Sequence, residues 1–187
     1  MKYTLRVTAV VLLLTLFVQA QDRKAINTDK STIVWKGKKV TGSHEGTLQF
    51  KSGEILLENG KLKGGNFTVD MSTLVVTDLE TGDGKEKLEG HLNSDDFFGT
   101  SNHPQATLVI TDVVEKGSLY KVTGDLTIKN ITQPIVLEMK ANETTASTEV
   151  KIDRTKFDIK YGSGNFFDNL GDKMINDDFV LNVNLVY

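Results

Sequence analysis

Cysteine is absent from the 187-residue chain, and proline occurs only twice. Without cysteine, the chain can form no disulfide, offers no thiol nucleophile and has no site for the lipid attachment that marks a lipoprotein. Two prolines leave most strand interiors free to pair, whereas sixteen glycines supply many tight turns. We therefore expect a globular domain whose stability rests on side-chain packing alone.

Long hydrophobic runs are also missing, because no apolar stretch approaches the ~20 residues that a membrane-spanning helix needs. The longest run, Val7–Val18, follows a basic N-terminus and precedes a small residue, Ala20, which is typical of a cleaved signal peptide. The sequence predicts a signal peptide over residues 1–20 and one mature domain over residues 21–187. We expect this domain to be periplasmic or secreted, without stable membrane insertion.

The chain has little net charge, −3 at neutral pH, and its lysines are scattered along the sequence. Nucleic acids and anionic membrane surfaces are normally bound by a concentrated basic patch. Because the sequence shows no such concentration, it predicts no nucleic-acid partner and no anionic membrane surface as a partner.

Catalytic motifs are lacking as well. The histidines, His44, His91 and His103, are far apart in the chain and show none of the short spacings that zinc sites use. No serine lies in a GxSxG turn. The adjacent acids Asp95–Asp96 and Asp177–Asp178 should point away from one another on extended backbone, so neither pair should share a proton. We expect a protein that is not an enzyme and needs no metal or cofactor.

What the sequence does contain is period-two alternation of apolar and polar residues from residue 31 onward. In "GGNFTVDM", for example, Phe67, Val69 and Met71 fall on one face, as in a half-buried strand. Turn signals rich in Gly, Asn or Ser separate such stretches, namely "KSGE", "LENGK", "EKGS", "KNITQP" and "ANETTAS". The predicted fold class is all-β, a single antiparallel up-and-down barrel of about eight strands that closes to remove its exposed edges.

The alternation stops between residues 74 and 106, where the segment "TDLETGDGKEKLEGHLNSDDFF" is polar. Leu88 and Leu92 recur there at helical spacing, which predicts a short helix and loop across one mouth of the barrel. Ser94, followed by two acidic residues, is expected to cap the N-terminus of a helix. Phe97 and Phe98 are expected to point into the barrel opening.

Whether the barrel is hollow or filled stays open from the residues alone. An eight-stranded barrel can be filled by side chains or can hold one small ligand. Glycines on the predicted strands either leave space for a ligand or only bend the strands. These glycines are Gly42, Gly46, Gly64, Gly65 and Gly124.

Three segments in matching order resemble the YceI-like family of exported lipid-binding, or polyisoprenoid-binding, proteins. They are "GHLNSDDFF" with "HPQATLVI", then "VTGDLTIKNITQPIVLEM", then "IDRTKFDIKYG". The resemblance extends over nearly the whole mature chain. It implies a lipocalin-like barrel with a long apolar cavity for an isoprenoid chain, a quinone tail or a fatty acyl derivative, and no catalysis. The chain departs from the family pattern at Glu89-Gly90, Asn130 and Asp158, which bear on the cavity mouth.

Together these features predict an exported, non-enzymatic carrier that transports a long-chain lipid or isoprenoid. Two alternatives stay open: a metal-assisted periplasmic enzyme using His44, Glu45 and His91, and a filled-barrel stress or adhesion module without a small ligand. Self-association into a homodimer also stays open. The residues expected to contact the ligand are Trp35, Phe50, Phe67, Val69, Leu92, Phe97, Phe98, Leu108, Val122, Leu126, Ile128, Leu137 and Phe157.

Overall fold

The computed structural model describes residues 21–187. The predicted signal peptide, residues 1–20, lies outside the described residues and stays a prediction. Within residues 21–187, no helix has both the length and the apolar character needed to cross a membrane.

The described chain is built almost entirely from antiparallel strands, with one short α-helix, α1, at Lys85–Asn93 and short 3-10 turns at Arg154–Phe157 and Gly171–Lys173. The strands are β1 Gln21–Ala25, β2 Thr32–Lys39, β3 Gly42–Glu58, β4 Lys61–Val76, β5 Gln105–Lys116, β6 Leu119–Ile128, β7 Ile131–Ala141, β8 Thr145–Asp153 and β9 Ile175–Val186.

The strands form one closed barrel. From β2 to β9 each strand pairs with its neighbour in the sequence, and β9 pairs back with β2. The short strand β1 pairs with the second half of β3, beyond the stretch that β2 covers. Every strand from β2 to β9 therefore has a pairing partner on both sides, although β7 and β8 pair over three residues only. The predicted antiparallel up-and-down barrel of about eight strands is confirmed.

Tight turns join several of the strands. Asn59 and Gly60 connect β3 to β4 with φ angles of 53° and 74°, and Lys129 and Asn130 connect β6 to β7 with 51° and 61°. Two successive positive φ angles match the right-handed twist of the flanking strands, which is why Asn and Gly are favoured in such hairpins. Asn130 therefore adopts the conformation for which the family's usual glycine is suited.

The turn predicted at "KSGE" is wrong, because β3 continues through it for 17 residues. The register shifts between Phe50 and Ser52, which marks a bulge there instead of a chain reversal. Gly53 lies under an aromatic ring, since a Cβ at this position would lie 2.7 Å from Cδ1 of Phe67. The glycine thus permits close packing of a side chain on the strand, which is a second common reason for glycine within a strand.

Helix α1 lies where the alternation stops, as predicted, and it buries Leu92. The carboxylate of Glu89 accepts a hydrogen bond from the backbone N–H of Val76 at 2.8 Å, which fastens the helix to the end of β4. The expectation that Ser94 caps an N-terminus is wrong. Ser94 ends α1, and its hydroxyl donates to the carbonyl oxygen of His91 at 2.7 Å. Serine can satisfy backbone groups at either end of a helix, so its presence alone does not fix the direction.

Two of the predicted strand glycines, Gly46 and Gly124, do not leave room for a ligand. At Gly46 a Cβ would lie 1.9 Å from the carbonyl oxygen of Val75 and 2.6 Å from the ring of Trp35. At Gly124 it would lie 2.7 Å from the carbonyl oxygen of Val109. At these two positions the space that glycine leaves is already occupied by a neighbouring strand. Close strand contact, and not room for a ligand, explains them.

Candidate functional site

The barrel encloses a cavity of about 590 Å³. Its walls are almost wholly apolar along the strands, whereas exposed polar residues border it at one end only. This end, called the mouth, is formed by the β2–β3 turn, by α1 and by the segment that leads into β9. The volume lies within the range of about 300–1,000 Å³ that is typical of small-molecule sites. The barrel is therefore hollow, which a filled-barrel module would not be.

Most residues predicted to contact a ligand lie on the cavity wall. Two do not: Val122, on β6, is fully buried and does not border the cavity, and Phe157 lies on the 3-10 turn after β8 instead of on a barrel strand. Alternation determines which face a residue occupies, but it cannot tell how deeply neighbouring side chains cover it. The predicted residues that line the cavity are Trp35, Phe50, Phe67, Val69, Leu92, Phe97, Phe98, Leu108, Leu126, Ile128 and Leu137.

Phe97 and Phe98 point into the barrel opening, as expected, and both line the cavity. Their rings are 5.6 Å apart, and the ring of Phe98 lies 6.1 Å from that of Phe179 on β9. Lys129 holds the backbone beneath them, because its ammonium donates to the carbonyl oxygen of Phe97 at 2.8 Å. The segment after α1 is thus fastened to the β6–β7 turn and narrows the mouth with aromatic rings.

Arg154 is a wall residue that the sequence analysis missed. Its side chain is 2% exposed and its guanidinium lies 5.5 Å from the ring centre of Phe97. It donates to the carbonyl oxygens of Ile159, Ile175 and Asn176 at 2.7, 3.0 and 3.0 Å. Ile159 belongs to the segment that leads into β9, and Ile175 and Asn176 are the first residues of β9, so Arg154 holds both ends of this side of the mouth.

The charge of Arg154 is balanced by Asp177, whose carboxylate lies 3.4 Å from Nη2. Burial lowers the pKa of the guanidinium, and the neighbouring carboxylates of Asp177 and Asp153 act in the opposite direction. A buried arginine could not be predicted from its own neighbourhood, because its partners lie up to 23 residues further along the chain.

Asp158, where the family usually has glycine, adopts the left-handed conformation with φ of 59°. Its carboxylate lies 2.6 Å from the ammonium of Lys160, and this contact lowers the pKa of the carboxyl. Aspartate tolerates this conformation better than most residues. The departure therefore leaves the turn after Arg154 intact.

The histidines do not gather into a site. Nδ1 of His44 lies 3.0 Å from the carboxylate of Asp78, and His103 lies on the loop before β5. His91 lines the cavity and packs against Tyr161, with ring centres 4.4 Å apart. Within residues 21–187, no group of three or more His, Cys, Asp or Glu side chains is placed to hold a metal ion. The His44, Glu45 and His91 combination that the enzyme alternative requires is therefore not assembled.

Two wall residues have buried polar atoms without partners. Nε1 of Trp35 and Nε2 of His91 lie away from solvent, and no hydrogen-bond partner for them exists in the described part of the chain. Buried polar groups in native proteins are usually paired. Both residues line the cavity, but these two nitrogen atoms are themselves covered and do not face it.

The adjacent acids Asp177 and Asp178 point away from each other, as the strand alternation predicts. Asp177 faces Arg154 and Asn165, whereas the carboxylate of Asp178 lies 2.7 Å from Lys151 on the neighbouring strand β8. The two carboxylates bind different partners and do not share a proton. The wall in the described part of the chain thus offers apolar contact and a few polar atoms, and this acidic pair supplies no shared proton.

Solved structures with this fold come from several bacteria. A Burkholderia cenocepacia protein, BcnA, is 22% identical, with a TM-score of 0.69 over 87% of this chain and 99% of that chain. A polyisoprenoid binding domain from Saccharophagus degradans, implicated in plant cell wall breakdown, is 14% identical, with a TM-score of 0.57 over 89% of this chain and 97% of that chain. At these identities the likeness establishes the fold alone.

Sequence relatives point to the same family. Protein YceI of Escherichia coli O157:H7 is 38% identical over 68 residues, which are 36% of this chain and 35% of that protein. A UPF0312 protein of Photorhabdus laumondii is 37% identical over 65 residues, 35% of this chain and 33% of that protein. The matches thus span about a third of these relatives' length. The family model described as YceI-like domain matches residues 25–187. The chain belongs to the YceI-like family.

Proposed function

We propose that this protein is an exported, non-enzymatic carrier that binds a long apolar chain inside the barrel. The observation that supports it most directly is the cavity of about 590 Å³, apolar along the strands and bordered by polar residues only at the mouth. Such a cavity matches a molecule with a long apolar chain and one polar end. The polar end would remain at the mouth, where it keeps contact with water.

Burial of the chain supplies the binding free energy. Each methylene removed from water contributes about 0.8 kcal/mol, so about ten methylenes contribute ~8 kcal/mol before the costs of association and chain ordering. Aromatic wall residues such as Phe50 and Phe67, whose ring centres are 6.3 Å apart, provide large contact surfaces without requiring polar groups on the ligand. No reacting group is needed for this function.

The comparisons guide which chemical class of chain to test first. The Saccharophagus degradans protein of the same fold is named a polyisoprenoid binding domain. An isoprenoid is therefore the first class to test, followed by a quinone tail and a fatty acyl derivative, which present a similar apolar length.

Export is part of the proposal and rests on the sequence over residues 1–20. Expression of the full chain, followed by fractionation and intact mass measurement, should yield a product beginning near Gln21 outside the cytoplasm. A product that retains Val7–Val18 in the membrane fraction would contradict export without affecting the cavity.

The test of cargo is native mass spectrometry of protein purified without detergent. We expect a mass excess that organic extraction removes and that corresponds to one long-chain lipid; the same spectrum reports whether a homodimer forms. The delipidated protein should then take up an isoprenoid quinone or a fluorescent fatty acid. Failure to carry or take up any long-chain compound would contradict the proposal. Stoichiometric zinc or iron in the same preparation would favour the metal-assisted alternative instead.

A further inference from the structure

Lysines from three separate elements meet at the cavity mouth. Lys38 and Lys39 end β2, Lys87 lies on the first turns of α1, and Lys173 ends the 3-10 turn before β9. Lys39 lies opposite Ile175 in the β2–β9 pairing. The four lysines all border the cavity and are exposed to solvent. Residues that are scattered in the sequence thus form one cluster, called here the mouth lysines.

The mouth lysines have no acidic partner in the described part of the chain. No carboxylate of residues 21–187 lies within 4.0 Å of their ammonium groups. Elsewhere on the surface, lysines such as Lys36, Lys61 and Lys151 do have such partners, at 3.7, 2.8 and 2.7 Å. Other lysines outside the mouth, such as Lys121 and Lys156, have none within residues 21–187, so the mouth lysines are distinguished by their shared position around one opening of the cavity.

Few acidic residues line the cavity together with the mouth lysines. Asp172 and Asp178 are the acidic residues among the described residues that line it, and Asp178 is already paired with Lys151. Among the residues that line the mouth, positive charges therefore outnumber negative ones, with four ammonium groups against the one remaining carboxylate, that of Asp172. This excess occurs on a chain whose net charge is −3.

The buried guanidinium of Arg154 is not free to bind an anion instead of the mouth lysines. Arg154 already donates to three backbone carbonyl oxygens and faces the carboxylate of Asp177. An anion carried deeper, among apolar strands, would lose its hydration without gaining partners, which is strongly unfavourable. At the mouth an anion keeps water and gains the field of the mouth lysines.

We propose that the mouth lysines bind the head group of the carried molecule and that this head group is anionic. The inference rests on the proposed function, because it assigns the polar end of the molecule whose chain fills the barrel. A carboxylate or a phosphate has the required charge and terminates long apolar chains. A neutral head group, such as an alcohol, would leave the mouth lysines without a partner.

The experiment compares ligands that share a chain and differ in the head group. Dissociation constants of the delipidated protein are measured for geranylgeranyl phosphate against geranylgeraniol, and for hexadecanoic acid against hexadecanol, by quenching of the fluorescence of Trp35. This tryptophan is the chain's only one and lines the cavity. We expect the anionic member of at least one pair to bind about tenfold more tightly at low salt. The preference should shrink in 1 M NaCl, where charges are screened beyond about 3 Å.

Two double variants with the same change of charge test whether the preference for anionic ligands depends on the mouth lysines. The mouth double variant Lys39→Gln with Lys173→Gln should lose most of the anionic preference while geranylgeraniol binding changes less than threefold. The control double variant Lys121→Gln with Lys156→Gln removes the same charge from exposed positions that do not border the cavity, and it should keep the preference. The pair that shows the preference distinguishes a phosphate from a carboxylate.

The possible failures separate the inference from the proposed function. If all the ligands bind and neither pair shows a preference, the anionic head group is wrong and the carrier function stands. Equal loss of preference in both double variants would assign the effect to net charge and overturn the local site. If neither the anionic nor the neutral chains bind the delipidated wild type, the proposed function itself fails.

Discussion

Replacing Leu108 by tryptophan should obstruct the cavity without unfolding the barrel. Leu108 lies on β5 opposite Phe67 of β4 and Leu126 of β6, and all three residues line the cavity. The substitution adds about six non-hydrogen atoms, and it places them where the structure has open volume instead of packed side chains. The free energy of unfolding of the ligand-free protein should therefore change by less than about 1 kcal/mol.

The effect on binding should be much larger. If the added ring excludes about four methylenes of the bound chain, the loss is about 3 kcal/mol at ~0.8 kcal/mol per methylene. A loss of this size raises the dissociation constant on the order of a hundredfold. Uptake of a fluorescent fatty acid or an isoprenoid quinone by the delipidated protein measures it directly.

Val122 provides the matched control, because it is fully buried and does not border the cavity. Val122→Trp forces bulk into filled space and should lower the free energy of unfolding by about 1–3 kcal/mol. Urea unfolding of the two delipidated variants, beside wild type, compares them. The reasoning is refuted if Leu108→Trp destabilises the protein as much as Val122→Trp does while wild-type uptake is retained.

Two further predictions concern stability. In Arg154→Met, three carbonyl oxygens lose the guanidinium that donates to them, and Asp177 loses its ion-pair partner while keeping the hydrogen bond from Asn165. Urea unfolding should show a loss of about 3–5 kcal/mol in the free energy of unfolding, against less than about 0.5 kcal/mol for the exposed neighbour Lys156→Met. Equal losses in the two variants would contradict the role of Arg154 in holding this side of the mouth. Burial raises the pKa of Tyr187 from its ordinary 10.0 to about 12, so the folded state retains a proton that the unfolded chain releases near pH 10. The free energy of unfolding should therefore fall as pH rises from about 10 to 12, and a Tyr187→Phe variant that shows the same fall would contradict this assignment.

Local features of the sequence were sufficient to predict much of the fold. Alternation placed Phe67, Val69 and Met71 on one face of β4, and all three line the cavity. The Asn59–Gly60 dipeptide predicted a hairpin turn, because few residues accept positive φ angles at low cost. These predictions are confirmed because strand faces and tight turns depend on residues close together in the chain.

Predictions failed where a distant partner decided the outcome. The strand β3 continues through "KSGE" because β4 pairs with it there and β1 pairs with it from Glu54 onward. Val122 was predicted to contact the ligand, but it is fully buried and does not border the cavity. Arg154 is buried where it donates to carbonyl oxygens of Ile159 and of the first residues of β9. Apart from Ile159, which is five residues from Arg154, these partners lie beyond the few residues that a local pattern covers.

The amino-acid sequence by itself determined the all-β class, the antiparallel order of the strands and the absence of disulfides, since each follows from composition or from a period of two residues. Only the tertiary structure decided that the barrel is hollow, because filled and hollow barrels share the same alternation. It also decided that Lys39, Lys87 and Lys173 meet at one mouth. Closure of the barrel brings their elements together, and closure is a property of the whole sheet that no single stretch of the chain contains.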